Sequence, residues 1–427
     1  MIFNEKIIKA LDSSTSLHSV PFTIADDMVN MLDSTDFFKE PDLTITASEY
    51  INNHRVIDVS CKSGSLLFSF YKKFMIALRN VFPDRDDRDY FIVRNLLFGL
   101  CPSARYLSML RATFYSNKKY DLSNELGNFY HYDFKNQIGV DNKEVKELLK
   151  NMKFDVVCGN PPYNGSLYID FCNSANKLSS HYSIMLVPSH WRLKFSNSAN
   201  EMKKCLITDK HLKEFHMFEC NPDGCTSVFG KRNEGGVQAG SVCYYLCDLL
   251  KAYTTVDVYE QRYINNSLFK WNSEVNIIHT RRQTIDERLD VFVVNAFTLS
   301  ILNKVLNSPK FKSISSILMN SDSDSDIYVT NCLSACSRGK HTTLAGFFIS
   351  GLTDIEIANM NNYFSTKFWR MLNRSLNSGY ASCEKYMYRF LPAFDFTQVI
   401  DDAYIASYFG FTQEEITYIS NLTCDNH

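Results

Sequence analysis

Residues 154–163, Phe-Asp-Val-Val-Cys-Gly-Asn-Pro-Pro-Tyr, decide how the chain is read. Phe154 to Cys158 is a short, mostly apolar run with β-branched residues, stopped by Gly159, and it predicts one buried strand of a parallel sheet. Asn160, Pro161, Pro162 and Tyr163 then form the loop that leaves the strand's carboxyl end, where open α/β sheets bind ligands. The prolines fix φ at two successive positions and remove two backbone donors, while the carbonyls remain able to accept. The loop is therefore a stiff, acceptor-rich ledge with an aromatic ring at its end.

Such a ledge suits the exocyclic amine of a planar base. The Asn160 side-chain oxygen and the Pro161 carbonyl can both accept from an amino group while Tyr163 stacks on the ring. Accepting both protons draws the nitrogen toward a pyramidal, nucleophilic geometry, so attack on an activated methyl needs no strong general base first.

Farther upstream, Arg55-Val-Ile-Asp-Val-Ser-Cys-Lys-Ser-Gly-Ser-Leu-Leu-Phe, residues 55–68, predicts a strand ending at Asp58, a tight turn containing Gly64, and a helix. That is the first βα unit of a doubly wound sheet. About a hundred residues separate the two stretches, room for further strands and their crossover helices. From Val20 to Phe37, Ile24, Met28, Met31 and Leu32 fall at helical spacing behind Pro21, with Asp26 and Asp27 in the early turns. Leu167 to Leu178 predicts a helix, Tyr182 to Val187 another buried strand, and residues 215–218 and 241–246 two more strands.

The tetrapeptide and its strand resemble the catalytic motif of S-adenosylmethionine-dependent N6-adenine DNA methyltransferases of the restriction-modification type. The resemblance covers about residues 18–250 for catalysis and about residues 360–420 for a C-terminal signature. It implies a Rossmann-like class I methyltransferase domain with a mostly parallel seven-stranded sheet over residues 1–255. A C-terminal α+β domain that recognises the DNA target would occupy residues 256–427.

By the same resemblance, Asn160, Pro161, Pro162 and Tyr163 are the catalytic residues, and Tyr163 and Phe229 hold a flipped adenine between them. Stacking on each ring would supply roughly 1–3 kcal/mol, the order needed to extrude a paired base. The cofactor would meet Pro21, Asp58, Ser63, Gly64, Asp133, Phe134 and Asn160. The family writes the turn after the first strand Asp-Pro-x-x-Gly-Ser-Gly. Here Val59 replaces the proline and Lys62 the first glycine, so this lysine has to point away from a sulfonium and an ammonium. Cys101 stands where many relatives place an acid for the ribose hydroxyls. Asp133 and Phe134 match the Asp-Phe pair that meets the cofactor's adenine.

Pro188-Ser-His-Trp matches a segment lining the substrate cleft, with Trp191 read as packing and His190 as a phosphate contact. In the C-terminal part, Lys367, Arg370 and Arg374 recur at helical spacing and can follow phosphates, whereas Asp322 to Asp326 reads as a polar loop. Asp395-Phe-Thr, followed by an acidic helix near residues 412–416, resembles the end of restriction-associated methylases. Thr412 with Glu415 also forms a local capping box.

Composition limits the alternatives. At 427 residues, with 45% hydrophobic and 22% charged residues, the chain has an ordinary globular make-up and room for two or three domains. A formal net charge of −2 excludes a generally basic nucleic-acid binder, so any DNA affinity must come from local patches. Thirteen scattered cysteines without a secretory signal predict a reduced, cytoplasmic setting. Arg94 and Arg105 interrupt the longest apolar stretch, so no membrane span is expected. Cys220, Cys225, Cys243 and Cys247, near His216, are read as structural cysteines, and no metal is expected.

The expected partner is double-stranded DNA, and the sequence leaves open both a separate restriction endonuclease and the oligomeric state. Two alternatives stay open. The same tetrapeptide occurs in methyltransferases acting on RNA or protein glutamine, and a catalytically weak DNA-binding or partner subunit fits the substitutions at Lys62 and Cys101.

Overall fold

Val56, Ile57 and Asp58 form β1 (Val56–Asp58), fully buried and paired on both sides by parallel strands. The computed structural model describes residues 19–41, 44–115, 127–134, 139, 142–193, 196–219, 225, 228–229, 240–264, 267–271, 282–284, 296–316, 327–329, 336–337, 347–349, 351–376 and 385–422. The chain divides into two compact units, Met1–His216 with Cys225–Val256, and Met217–Gly224 with Asp257–His427.

In the first unit β1 pairs with β2 (Leu97–Cys101) and β2 with β3 (Phe129–His131), all parallel. On its other side β1 pairs with β4 (Phe154–Gly159), and β4 with β5 (Ser179–Pro188), again parallel. β6 (Leu212–Phe218) and β7 (Val242–Asp248) complete the order β6-β7-β5-β4-β1-β2-β3, with β7 antiparallel to β5. This is the class I methyltransferase order that the resemblance implies. The mostly parallel sheet is as expected, with β8 (Thr255–Ile264) added after β6, and the first two residues of β8 close the first unit.

All six residues of β4 are buried, as a strand covered on both faces must be. Burying Val156, Val157 and Phe154 stabilises the sheet by about 1.5–3 kcal/mol per side chain. The helices that cover it follow from apolar spacing and caps. α1 (Phe22–Asn30) buries Ala25, Met28 and Val29, and α2 (Ala47–Asn52) starts at a capping box of Thr46 and Glu49. α3 (Ser65–Ala77) buries Leu66, Leu67, Phe70 and Phe74. Asp26 of α1 pairs with Lys72 of α3 at 2.6 Å.

α4 (Arg85–Asn95) is capped by Asp84, which accepts from the Asp86 and Asp87 amides. α5 (Ala104–Phe114), α6 (Asn142–Asn151) and α7 (Leu167–Leu178) are the later crossovers, and α8 (Asn197–Lys203) precedes β6.

The second unit combines strands and helices. β8 forms a hairpin with β9 (Ser267–Trp271), β10 (Arg282–Thr284) is a short strand, and β11 (Ile327–Val329) lies between β12 (Cys336–Ser337) and β13 (Phe347–Ile349). Its helices are α9 (Ala296–Leu306), α10 (Asp354–Phe364), α11 (Lys367–Leu376), α12 (Asp402–Phe409) and α13 (Gln413–Leu422). Thr412 and Glu415 form the expected box at the start of α13. Glu415 also reaches Lys304 of α9 at 2.7 Å and accepts from Ser300 at 2.7 Å. Residues Asp322 to Asp326 lie outside the described residues. Among the described residues no helix is long and apolar enough to cross a membrane.

Candidate active site

Gly159 ends β4 where the chain runs against Ser60. A Cβ there would meet the Ser60 Oγ at 2.8 Å, so the close approach of the two loops requires glycine. One residue later Asn160 is buried, and both of its backbone groups are gripped by the loop after β1. Its amide donates to Ser60 Oγ at 2.8 Å, and its carbonyl accepts from Lys62 Nζ at 3.2 Å. Ser60 is held in turn, because its amide donates to Asp58 Oδ1 at 3.0 Å. The ledge is thus fixed by hydrogen bonds as well as by its prolines. Pro161 is buried, and Pro162 and Tyr163 are half-buried.

Asp58, Ser60, Lys62, Ser63, Gly64, Ser65 and Asn160 surround one cavity with Ser19 and Val20, about 190 Å³ in empty volume. Gly64 enters α3 with φ of +81°, a left-handed conformation, and a Cβ there would strike Leu110. Burial pushes the Asp58 carboxyl up to about 7, against the lowering effects of the Ser60 amide and the Lys62 charge. Ser63 Oγ is buried with no hydrogen-bond partner.

A buried carboxyl whose ionisation is costly, together with an unpartnered hydroxyl, fits a ligand that brings its own cation and polar groups. These residues therefore suit the amino-acid end of S-adenosylmethionine.

Lys62 is among the residues lining the cavity, and its ammonium donates to the Asn160 carbonyl, a strong acceptor.

Tyr163 and Phe229 come together, with ring centroids 6.3 Å apart and planes inclined at 55°. Burial pushes the Tyr163 hydroxyl well above the ordinary phenol range, so it remains protonated at neutral pH. Asp133 and Phe134 follow β3, half-buried, with Phe134 5.3 Å from Phe171 of α7. Neither lines the cavity, and Pro21 caps α1 without lining it, whereas its neighbours Ser19 and Val20 do.

Cys101 is buried at the end of β2 beside the Cys61 thiol. His190 is half-buried beside the fully buried Trp191, which packs edge-on against Phe215 and Tyr245. Lys367 is exposed and Arg370 half-buried on α11 of the second unit, and the Arg374 side chain lies outside the described residues.

Cys225, Cys243 and Cys247 are buried, and Cys220 lies outside the described residues. Among the described residues no group of three or more His, Cys, Asp or Glu gathers in metal-binding geometry.

Sequence reasoning missed Ser60, which occupies an unspecified position of the motif. Its one signal was its place two residues after Asp58, inside the turn.

No protein-family model matches the chain. An uncharacterized adenine-specific methylase of Mycoplasma pneumoniae is 31% identical over 133 residues, 27% of this chain and 29% of that protein. Its name agrees with the resemblance read from the motif, although the chain spans under a third of its length.

Among solved structures, a nuclease-deletion mutant of a Type ISP restriction-modification enzyme in complex with a DNA substrate mimic is similar at a TM-score of 0.42. It is 13% identical, over 60% of this chain and 25% of that one. A type I restriction-modification methyltransferase subunit from Streptococcus thermophilus is similar at 0.35, with 12% identity, over 57% and 46% of the two chains.

Proposed function

We propose that the chain is an adenine-specific DNA methyltransferase that uses S-adenosylmethionine and acts in a restriction-modification setting. The observation that carries this reading is that Asn160 belongs to both halves of the site. It begins the acceptor ledge, and it walls the cavity of Asp58, Ser63 and Gly64. A donor bound in that cavity and an amine held on the ledge are therefore adjacent. The adenine-specific methylase from Mycoplasma pneumoniae supports adenine as the substrate.

When bound, S-adenosylmethionine supplies a methyl on a positively charged sulfur and leaves a neutral thioether. The Asn160 side chain and the Pro161 carbonyl accept from the two N6 protons and aim the nitrogen lone pair into the cavity. Tyr163 and Phe229 take the base between them, which requires their planes to swing toward parallel from the present 55°. The nitrogen gains the methyl carbon and gives up one proton to water, so no strong base is needed. Positioning is the main source of rate. Ser60 and Lys62 contribute by fixing the backbone from which Asn160 projects. His190, Lys367, Arg370 and Arg374 would contact DNA, with 1–255 and 256–427 as catalytic and target-recognition regions.

Transfer of labelled methyl from S-adenosylmethionine to unmethylated DNA, with sequencing to map modified adenines, tests the reading. Wild type should label DNA, and Asn160→Ala should lower turnover by about 10²–10³-fold, as loss of one preorganised polar partner does. Label confined to RNA or to protein glutamine would move the substrate. No label, with no cofactor binding by calorimetry, would leave a non-catalytic partner subunit.

A further inference from the structure

The turn after β1 places a fixed cation in the cavity wall. Lys62 Nζ donates to the Asn160 carbonyl at 3.2 Å, and the side chain lines the same cavity as Asp58, Ser63 and Gly64. Its charge also holds the Asp58 carboxyl lower than burial alone would set it. We infer that Lys62 is a specificity-determining residue of this cavity, weighting it against the sulfonium donor and toward the neutral thioether product.

This inference rests on the reading that the cavity takes S-adenosylmethionine. Methyl transfer to an amine held at Asn160 requires the donor sulfur to face that ledge, and the ledge's first carbonyl is where the Lys62 ammonium is anchored. Donor and product share their amino-acid and nucleoside parts and differ by one methyl and one positive charge. Two like charges about 4 Å apart change affinity by roughly fivefold at the dielectric of water and by more in a protein site. The difference falls on the donor alone. A lysine that served only to brace Asn160 would treat the two ligands alike, because both leave the brace intact.

The competing effect is attraction to Asp58, which shares the cavity. With Lys62 present, part of that attraction is spent on the lysine. Removing the lysine leaves the carboxylate to the donor, so both consequences of the substitution favour the sulfonium. Above the Asp58 titration the carboxylate is ionised with either ligand, so no change in its protonation enters the comparison.

The test is calorimetric titration of the full chain at pH 8.5 with S-adenosylmethionine and, separately, S-adenosylhomocysteine. Wild type is compared with Lys62→Met, Lys62→Gly and Lys62→Arg. The two neutral variants should shift the ratio of the two Kd values toward the sulfonium ligand by about tenfold, and Lys62→Arg should keep the wild-type ratio. Lys62→Gly serves as the second variant should the methionine side chain fail to fit. If both ligands bind and move together, so that the ratio is unchanged, Lys62 is a brace and the inference fails alone. If no version of the chain binds either ligand, the cofactor reading itself fails and takes the inference with it.

Discussion

Asp58 is the residue on which the charge state of the cavity turns. Its carboxyl is pushed from an ordinary value of 3.8 up to about 7, chiefly by burial. A cationic ligand favours the ionised form and so draws the pKa back down. Binding near neutrality therefore releases a proton, and affinity should climb as pH rises toward 7, by up to about tenfold per unit, and level off above it. Calorimetry in buffers of different ionisation enthalpy counts that proton. Asp58→Asn should remove both the proton and the slope.

The ligand-free protein should respond in the opposite sense. A carboxyl with a raised folded-state pKa contributes stability that is fully present below the unfolded value and is lost as pH rises through about 7. The melting temperature of wild type relative to Asp58→Asn should thus fall between pH 5 and pH 8. A pH-independent difference would mean that Asp58 is ionised throughout.

Among the elements, the turn between β1 and α3 has the least freedom. Gly64 sits at φ of +81° and faces Leu110 of α5, so an added methyl is opposed by both backbone and packing. Gly64→Ala should cost about 1–3 kcal/mol in denaturant unfolding. It should also weaken cofactor binding more than it weakens DNA binding, since the turn lines the cavity. Equal stability would show that α5 yields without cost.

This turn and the ledge after β4 were legible in the sequence because apolar runs, Gly64, Gly159 and the prolines act locally. The helix over Leu167 to Leu178 was legible for the same reason, and its bounds coincide with α7. The first helix was read too long: it ends at Asn30 and tightens over Met31–Ser34, where the Ser34 and Thr35 hydroxyls take the Met31 and Leu32 carbonyls. The grip of Ser60 and Lys62 on Asn160 was not legible. It joins residues about a hundred apart, and it depends on the register of β1 against β4 rather than on any spacing within one segment. The ring pair of Tyr163 and Phe229 was found only through the resemblance, since nothing local to either residue points to the other.

For the molecule as a whole, a net charge of −2 gives no general attraction to a polyanion, so DNA binding has to be concentrated. α11 is one place where the second unit can do this. It buries Phe368, Trp369, Met371 and Leu372, and Asp402 caps it by accepting from the Lys367 and Phe368 amides. With those apolar residues turned inward, Lys367 stays exposed and Arg370 half-buried one turn on, a spacing that can follow a phosphate backbone. Each phosphate contact contributes about 0.9 to the slope of log K against log salt. A Lys367→Gln, Arg370→Gln double variant should therefore lower the slope magnitude by roughly 1–2 and weaken DNA binding about equally across sequences. Fluorescence anisotropy over a salt series measures both quantities. The cofactor Kd should stay at its wild-type value, because neither residue lines the Asp58 cavity. An unchanged salt slope would make this helix face merely solvated, and phosphate contacts would then have to come from other basic residues. A slope that falls while sequence preference also changes would assign these side chains to reading bases as well as holding the backbone.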